Sequence, residues 1–407
     1  MALVQHAVQP RRGMTYFIFL VVLLVPSILY MCRPTFDTRH FILSQMQHRH
    51  LSDHSENTFI SESSSPRNKT ILLWTTFYGS PDPWELLFYD TVSGGCPVSG
   101  CTLTHDREQL DSADAVLFHL LDIQLEDLPR RRPAGQLWVL FCLESPGYPL
   151  VRRRRLARLN GLFNWTMTYR WDSDVAVPYG LVLPPGRLPR AVSAVLPRRP
   201  ALARYPPPTT KRRLMTWMVS NCRTPGKRER YVAQLRRHIQ VDIYGSCGTL
   251  KCGRSESVQQ QRNHTNFPCE KAITDYKFYL AFENTLCPDY VTEKFFRTLA
   301  LGTVPVVFGG AQYSSLAPEG SYIDALQYEP RELAELLLYL DRNDTAYREL
   351  FRWQADHRVV NAHPLRPLTC GLCRRLHELP AGTQVGVRHD LHRWYSAKQC
   401  HQWRPRG

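Results

Sequence analysis

Hydrophobic positions along the chain gather in two ways. One is a single run without polar interruption: from Met14 to Cys32 the sequence reads MTYFIFLVVLLVPSILYMC, with no charge. At about 1.5 Å per residue, a helix of that length nearly crosses a bilayer core of roughly 30 Å. A cleaved signal peptide is the competing reading, but the run exceeds an ordinary h-region and no A-x-A-like cleavage site follows it. One uncleaved transmembrane helix at 14–32 is therefore expected, behind a tail at 1–13. Residues 33–69, rich in His, Ser, Asp and Asn with little apolar periodicity, read as a stem.

The other way is short continuous runs: Ile71–Phe77 (ILLWTTF), Ala115–Leu120 (AVLFHL) and Leu137–Leu143 (LWVLFCL). Parallel strands covered on both faces require such runs, and helical or loop segments separate these, predicting an α/β domain over 70–180. The pattern breaks at 181–213, where Pro and Arg are dense and Pro206–Pro208 follow one another. No strand or helix stands out there, so an interdomain linker is expected. A second α/β domain, 214–369, carries strand runs at Leu214–Ser220, Val241–Tyr244, Lys277–Phe282 and Val304–Phe308. Helices are expected at Lys227–Ile239 and Tyr290–Leu301, the latter closed by Gly302, with Glu283–Pro288 as a loop and 246–270 as a polar excursion. Two α/β domains joined by a linker describe a cleft enzyme, with its ligand at the carboxyl ends of the strands.

A length of 407 residues suits two domains, and 43% hydrophobic with 21% charged residues excludes a disordered, collagen-like or multi-span chain. The formal charge of +15 points to an anionic partner: nucleic acid, a membrane surface or a phosphate-bearing small molecule. Arg11 and Arg12 before the apolar run are balanced by Arg33 and Arg39 after it, so flanking charge does not orient it. Four N-x-Ser/Thr sequons downstream, at Asn68, Asn164, Asn263 and Asn343, are usable only in a lumenal body. Eleven of the 12 cysteines also follow Cys32, several in close pairs: Cys96 with Cys101, Cys247 with Cys252, Cys370 with Cys373. Zinc is the rival explanation, but only the last pair has two-residue spacing, so disulfides in an oxidising lumen are favoured. The odd number leaves one free thiol, assigned to Cys142 in its apolar run. A lumenal body excludes nucleic acid as the partner.

The chemistry concentrates at strand ends. On a helix beginning at Asp289, Tyr290, Glu293, Lys294 and Arg297 share a face beside N–H groups that already favour an anion. An ammonium for phosphate, a carboxylate for hydroxyls and an aromatic wall suit a nucleotide sugar; an ordinary solvated Glu/Lys face is the alternative. Phe282-Glu283-Asn284 ends a strand where ribose or base contacts occur. Arg228, after the Ser220-Asn221 strand end, has the fork to clamp a diphosphate. In the first domain Glu144 directly follows a buried strand, the place for a general base or for a turn cap. Asp172 and Asp174 resemble the D-x-D metal clasp of some glycosyltransferases, or a turn before a strand. There is no G-x-S-x-G, H-E-x-x-H, P-loop or G-x-G-x-x-G.

YKFYLAFENTLCPDYVTEKFFRTLALGTVPVVFGG closely resembles the donor-binding motif of the alpha-1,3-fucosyltransferase family, glycosyltransferase family 10. LESPGYP, FNWTMTYRWDSDVAVPYG and the stretch from VSN to RERY resemble it too, in order, over roughly residues 70–400. The resemblance implies a type II Golgi membrane enzyme with two Rossmann-like domains facing a cleft, the GT-B arrangement. It implies L-fucose transfer from GDP-fucose to the 3-hydroxyl of GlcNAc in glycoprotein glycans, with inversion. By motif match Glu144 is the base, and Tyr179, Ser220, Asn221, Arg228, Tyr279, Asn284, Tyr290, Glu293 and Lys294 bind the donor. Members differ in their response to manganese, which stimulates some; no tightly bound ion is expected, and a homodimer is compatible. The family also suggests that Cys96 and Cys101 join Cys370 and Cys373, packing a tail at 370–407 on the first domain; local closure of each pair is the alternative. YGSCGTLKCGR resembles members acting on the innermost N-glycan GlcNAc, whereas YRWDSDVAVPYG resembles members acting on N-acetyllactosamine ends. Trp171 stands where many relatives carry Arg, and the Arg-rich linker is unusual. A catalytically silent glycan-binding relative would need no intact Glu144, Arg228 and Lys294; all three are present.

Overall fold

A computed structural model describes residues 68–406, apart from 82–83, 85–86, 152, 189, 198–210, 252–271, 361–367 and 381. The expected tail and anchor, the stem up to residue 67, Asn263, Cys252 and Cys269 lie outside the described residues, and β1 already begins at Lys69, inside the expected stem. Among the described residues no helix is long and apolar enough to cross a membrane.

The apolar runs of the first lobe become β1 (Lys69–Leu73), β3 (Ala115–His119) and β4 (Leu137–Cys142). With β2 (Cys101–Thr104), β5 (Trp165–Thr168) and β6 (Val175–Ala176) they make one sheet in the order β2-β1-β3-β4-β5-β6. Every pairing is parallel. All residues of β3 and β4 are buried, which is why they read as unbroken apolar runs rather than alternating ones. Helix α1 (Arg153–Arg158) follows β4. The expected strand Ile71–Phe77 stops at Leu73. Beyond it Phe77 packs on His119 and Trp84, with ring centroids 4.4 and 5.3 Å apart, so the apolar run outlasts the hydrogen-bond ladder.

The 181–213 segment is not a featureless linker. Its β7 (Leu181–Leu183) pairs antiparallel with β13 (Arg358–Val360), and a short helix covers Arg190–Val195. Leu181, Val195, Leu196, Val360 and Leu368 bury together as a small core, enough to order a stretch whose composition suggests a loop.

The rear sheet holds β8 (Arg213–Met218), β9 (Asp242–Tyr244), β10 (Tyr276–Phe282), β11 (Val304–Phe308) and β12 (Ile323–Asp324), in the order β12-β11-β10-β8-β9. It too is parallel throughout. Side chains of β10 alternate between its faces. Phe278, Leu280 and Phe282 join a core with Tyr231 and Leu235 of α2 (Arg228–Leu235) and Leu333 of α4 (Pro330–Arg342). Tyr279 and Ala281 join Phe295 and Phe296 of α3 (Glu293–Ala300) in the core that also fills the front lobe. The two lobes thus share a core, and both belong to one compact unit, residues 57–407.

Helix α3 begins at Glu293, not at Asp289 or Tyr290. Asp289 holds the left-handed φ of +59°, which no helix continues, and Thr292 is the extended N-cap. Tyr290 therefore sits in the loop before the helix rather than on the face of Glu293 and Lys294. At the other end Gly302, φ +63°, closes the helix after Leu301.

Disulfides join Cys96 to Cys370 and Cys101 to Cys373, so α5 (Gly371–Glu378) is bound to the front lobe. Cys247 pairs with Cys222, not with nearby Cys252, and Cys287 pairs with Cys400. Cys142 is free and buried; burial pushes its thiol up to about 12, so it stays protonated.

Candidate active site

Two strand ends and two helix starts build the rear half of the site. β10 ends at Phe282, and Glu283 follows it fully buried. Its carboxylate accepts hydrogen bonds from the Thr292 amide at 2.8 Å, the Thr292 hydroxyl at 2.9 Å and the Lys294 ammonium at 3.1 Å. A buried carboxylate is tolerated when paired and hydrogen-bonded, and Lys294 is its pair. Lys294 also donates to Thr292 Oγ1 at 2.7 Å and lies 3.6 Å from Glu293. Burial disfavours its ammonium, yet the charges of Glu283 and Glu293 outweigh that and hold its pKa above the ordinary value. For Glu293 burial acts upward, and the Lys294 and Arg297 cations more than offset it, leaving the carboxyl below its usual range.

Arg228 opens α2 and is buried. One guanidinium nitrogen donates to the Phe282 carbonyl and another to the Asn221 carbonyl at 3.3 Å, so it links the ends of β10 and β8. Its centre lies 5.6 Å from the Trp217 ring, and its Nε is buried without a hydrogen-bond partner. Burial lowers its pKa, with Glu283 opposing, and a guanidinium stays charged through such a shift. Two cations and two helix N-termini thus gather at one strand edge, an arrangement that favours an anion.

The front half comes from the turn after β4. Glu144 Oε1 accepts from the Tyr78 hydroxyl at 2.7 Å, and Oε2 accepts from the Tyr290 hydroxyl at 3.3 Å. Its carbonyl accepts from the Tyr395 hydroxyl, and the Leu143 carbonyl accepts from the Tyr179 hydroxyl at 2.9 Å. The side-chain partners of Glu144 are phenols, and among the described residues no Lys or Arg forms an ion pair with it. Tyr179 and Tyr290 both feel the carboxylates of the two lobes. Burial first, then Glu144, with Glu283 and Glu293 adding, pushes both phenols far above their ordinary pKa. They remain donors at any physiological pH.

The same turn is docked on the rear loop. Ser145 Oγ lies 2.6 Å from Thr285 Oγ1. At Gly147 an added Cβ would meet the Thr285 methyl at 3.0 Å and Cys287 Sγ at 3.2 Å, so a larger side chain would force the two loops apart.

Glu144, Tyr179, Arg228, Tyr290, Glu293 and Lys294 therefore come together where the carboxyl edges of the two sheets meet. Ser220 and Asn221 are exposed at the end of β8, and Ser220 Oγ accepts from the Ser246 amide at 3.4 Å. Asn284 is half-buried, its carbonyl accepting from the Gly226 amide at 2.9 Å. Tyr279 lies mid-strand and buried, with Arg297 donating to its hydroxyl at 3.5 Å and Arg228 near enough to feel its charge. The Asp172 and Asp174 pair is a turn before β6 rather than a metal clasp. Asp172 is bonded to Arg170 and to the Trp394 indole, and Asp174 to the Thr166 amide and hydroxyl. Of the sequons, Asn68 is exposed and bonded to Thr102, and Asn343 caps the next helix through the Ala346 amide. Asn164 is buried, its amide donating to the Val385 carbonyl at 2.7 Å, a bond that a glycan there would displace.

The sequence places Glu283 at a strand end for ribose or base contacts but not as the partner of Lys294, and it leaves Tyr78 and Tyr395 unmarked. Glu283 carried a signal, a carboxylate at a strand end nine residues before a Thr N-cap. Tyr78 and Tyr395 lie 66 and 251 residues from Glu144, and nothing local marks them.

Comparison with known proteins identifies the family. Residues 66–180 match the family described as Fucosyltransferase, N-terminal, and residues 208–394 match Glycosyltransferase family 10 (fucosyltransferase) C-term. Alpha-(1,3)-fucosyltransferase C of Drosophila melanogaster is 36% identical over 80% of this chain and 77% of its own length. Alpha-(1,3)-fucosyltransferase 7 of Bos taurus is 36% identical over 81% of this chain and 86% of its own. A solved alpha1,3-fucosyltransferase with GDP-fucose covers 81% of this chain and 96% of its own at 16% identity, with a TM-score of 0.49. On the matched domains and these relatives, the chain belongs to the alpha-1,3-fucosyltransferase family, glycosyltransferase family 10.

Proposed function

We propose that the protein transfers L-fucose from GDP-fucose to the 3-hydroxyl of GlcNAc in glycoprotein glycans, with inversion at the anomeric carbon. One observation carries this reading: Glu144 Oε2 lies 3.3 Å from the Tyr290 hydroxyl, beside the loop that leads into Lys294. So read, Glu144, which among the described residues has no cation pair, faces the rear-lobe cations across the donor. In this reading the acceptor hydroxyl passes its proton to Glu144 as its oxygen attacks the anomeric carbon. The bond to GDP breaks on the opposite face. Negative charge grows on the departing diphosphate, where Arg228 and Lys294 offset it. Glu293 accepts from the sugar's hydroxyls, and Tyr179 and Tyr290 wall the donor. A phenol next to the base orients it without the full positive charge that would quench its basicity. Diphosphate held by two cations calls for no resident metal. The same reading places the body in the Golgi lumen behind the single span at 14–32.

Glu144→Gln tests it. Transfer of label from GDP-fucose is expected to fall by about 10²–10⁴-fold, the usual contribution of a general base, while calorimetric GDP affinity stays within about twofold. Near-normal turnover rejects the assignment of the base. Running the assay over core N-glycan and N-acetyllactosamine acceptors identifies the acceptor class.

A further inference from the structure

The tip of the loop after β1 is held in an unusual way. Tyr78 is a non-glycine residue at φ +52°, followed by Gly79 at φ +78°, and Phe77 and Ser80 close the tip with paired backbone hydrogen bonds of 2.8 and 3.3 Å. Asp122, from the loop after β3, fixes it. Its carboxylate accepts from the Tyr78 amide at 2.9 Å, the Gly79 amide at 2.8 Å and the Thr76 hydroxyl at 3.0 Å. His119 Nδ1 bonds the same carboxylate. Burial acts against ionisation of Asp122, but His119 and the two amides outweigh it and keep the carboxyl below its ordinary range. Burial also lowers the His119 pKa, so a neutral imidazole carrying its proton on Nδ1 faces Asp122, and its Nε2 is buried without a partner. The Tyr78 ring packs against Phe77 and His119, with centroids 4.9 and 5.0 Å away. Half of the residue remains exposed, and its hydroxyl makes the shorter of the two bonds to the Glu144 carboxylate, 2.7 Å against 3.3 Å from Tyr290.

A left-handed non-glycine residue persists only where its surroundings over-determine it, and such strain collects at working sites. We infer that Tyr78 is a positioning residue for Glu144: it holds Oε1 and so aims Oε2 at the acceptor's proton, while Asp122 and His119 hold Tyr78. The inference rests on Glu144 being the base. Asp122 does not touch the reacting groups; it acts through Tyr78.

Tyr78→Phe in the full chain keeps the ring contacts and deletes only the hydroxyl. Loss of a hydrogen bond to a charged group predicts about a 10–100-fold fall in kcat. The KM for GDP-fucose, GDP affinity and melting temperature are expected to stay near those of the unaltered protein. Asp122→Asn is expected to lower kcat less, and Tyr78→Phe/Asp122→Asn no more than Tyr78→Phe alone, because the second change acts through a contact already lost. Independent structural damage would instead multiply. A Tyr78→Phe variant with kcat within twofold, beside an inactive Glu144→Gln, overturns the inference and leaves the base in place. An active Glu144→Gln removes the base itself. Loss of GDP affinity in Tyr78→Phe also overturns the inference, since the tip would then act through the donor.

Discussion

Glu144 and Glu283 each follow a buried parallel strand, yet their surroundings give them opposite tasks. The Glu144 carboxylate accepts from two hydroxyls, those of Tyr78 and Tyr290, which leave it free of an ion pair among the described residues. Glu283 is fully buried and bonded to Thr292 and Lys294, so its charge is spent on placing an ammonium. Glu283→Gln would leave Lys294 and Arg228, two cations near enough to repel, without that counter-charge. Removing one partner of a buried pair predicts a loss of about 3 kcal/mol in urea unfolding. Weaker GDP binding should accompany it, because Lys294 loses its anchor. Unchanged stability with unchanged GDP affinity would show that the pair is not what positions Lys294. At this scale the sequence marks candidates by local position, Glu144 just after a strand and Arg228 at the start of a helix. It conceals Tyr78, whose bond to Glu144 spans 66 residues and depends on a positive φ that no hydrophobic pattern encodes.

Among elements, those buried on both faces were the most legible. Val304–Phe308 is the strand its apolar run predicts, and β3 and β4 each end one residue early. The edge strand β2 does not stand out in the sequence because it is largely half-exposed, and β5 because only four residues carry it; β6, the strand that a turn at Asp172 and Asp174 would precede, has two residues. The start of α3 was misplaced for another reason: a helical pattern continues back to Tyr290, but the left-handed Asp289 sets a different path. Gly180 fixes where that helix lies. A Cβ there would sit 2.5 Å from Phe296 Cγ and 2.7 Å from its Cβ, atoms close to the helix backbone that cannot swing aside. Gly180→Ala therefore pushes on α3, the carrier of Glu293 and Lys294. Overpacking of this kind predicts a loss of about 1–3 kcal/mol and weaker GDP binding, read by thermal unfolding and calorimetry. A stable variant that binds GDP normally would show that α3 is free to shift.

At the scale of the molecule, residues 391–406 run from one lobe to the other, tying both halves of the site. Leu391, Trp394 and Tyr395 are buried in the front core, and the Tyr395 hydroxyl bonds the Glu144 carbonyl. Cys400 is bonded to Cys287, and the His401 amide to the Leu286 carbonyl at 2.8 Å, both in the loop after β10. Trp403 packs on Tyr231 of α2 at 5.1 Å, and Arg406 lies 3.4 Å from Glu329. Motif resemblance suggested the disulfides to Cys370 and Cys373 but not this crossing, which consists of contacts between residues far apart in sequence. Two truncations separate its parts. Ending the chain after Cys400 keeps Tyr395 and the disulfide but removes the cover over α2, so the fold should survive with weaker GDP binding, Arg228 being on that helix. Ending it after Asp390 removes three buried side chains, each contributing about 1.5–3 kcal/mol, together a large part of a typical stability of about 5–15 kcal/mol. It also strips Arg170 of the Trp394 carbonyl and Gln399. That variant is expected to lose cooperative melting and fucose transfer together. If it melts sharply and transfers fucose at the rate of the full chain, the crossing segment is a covering layer, and the shared core alone sets the lobes in register.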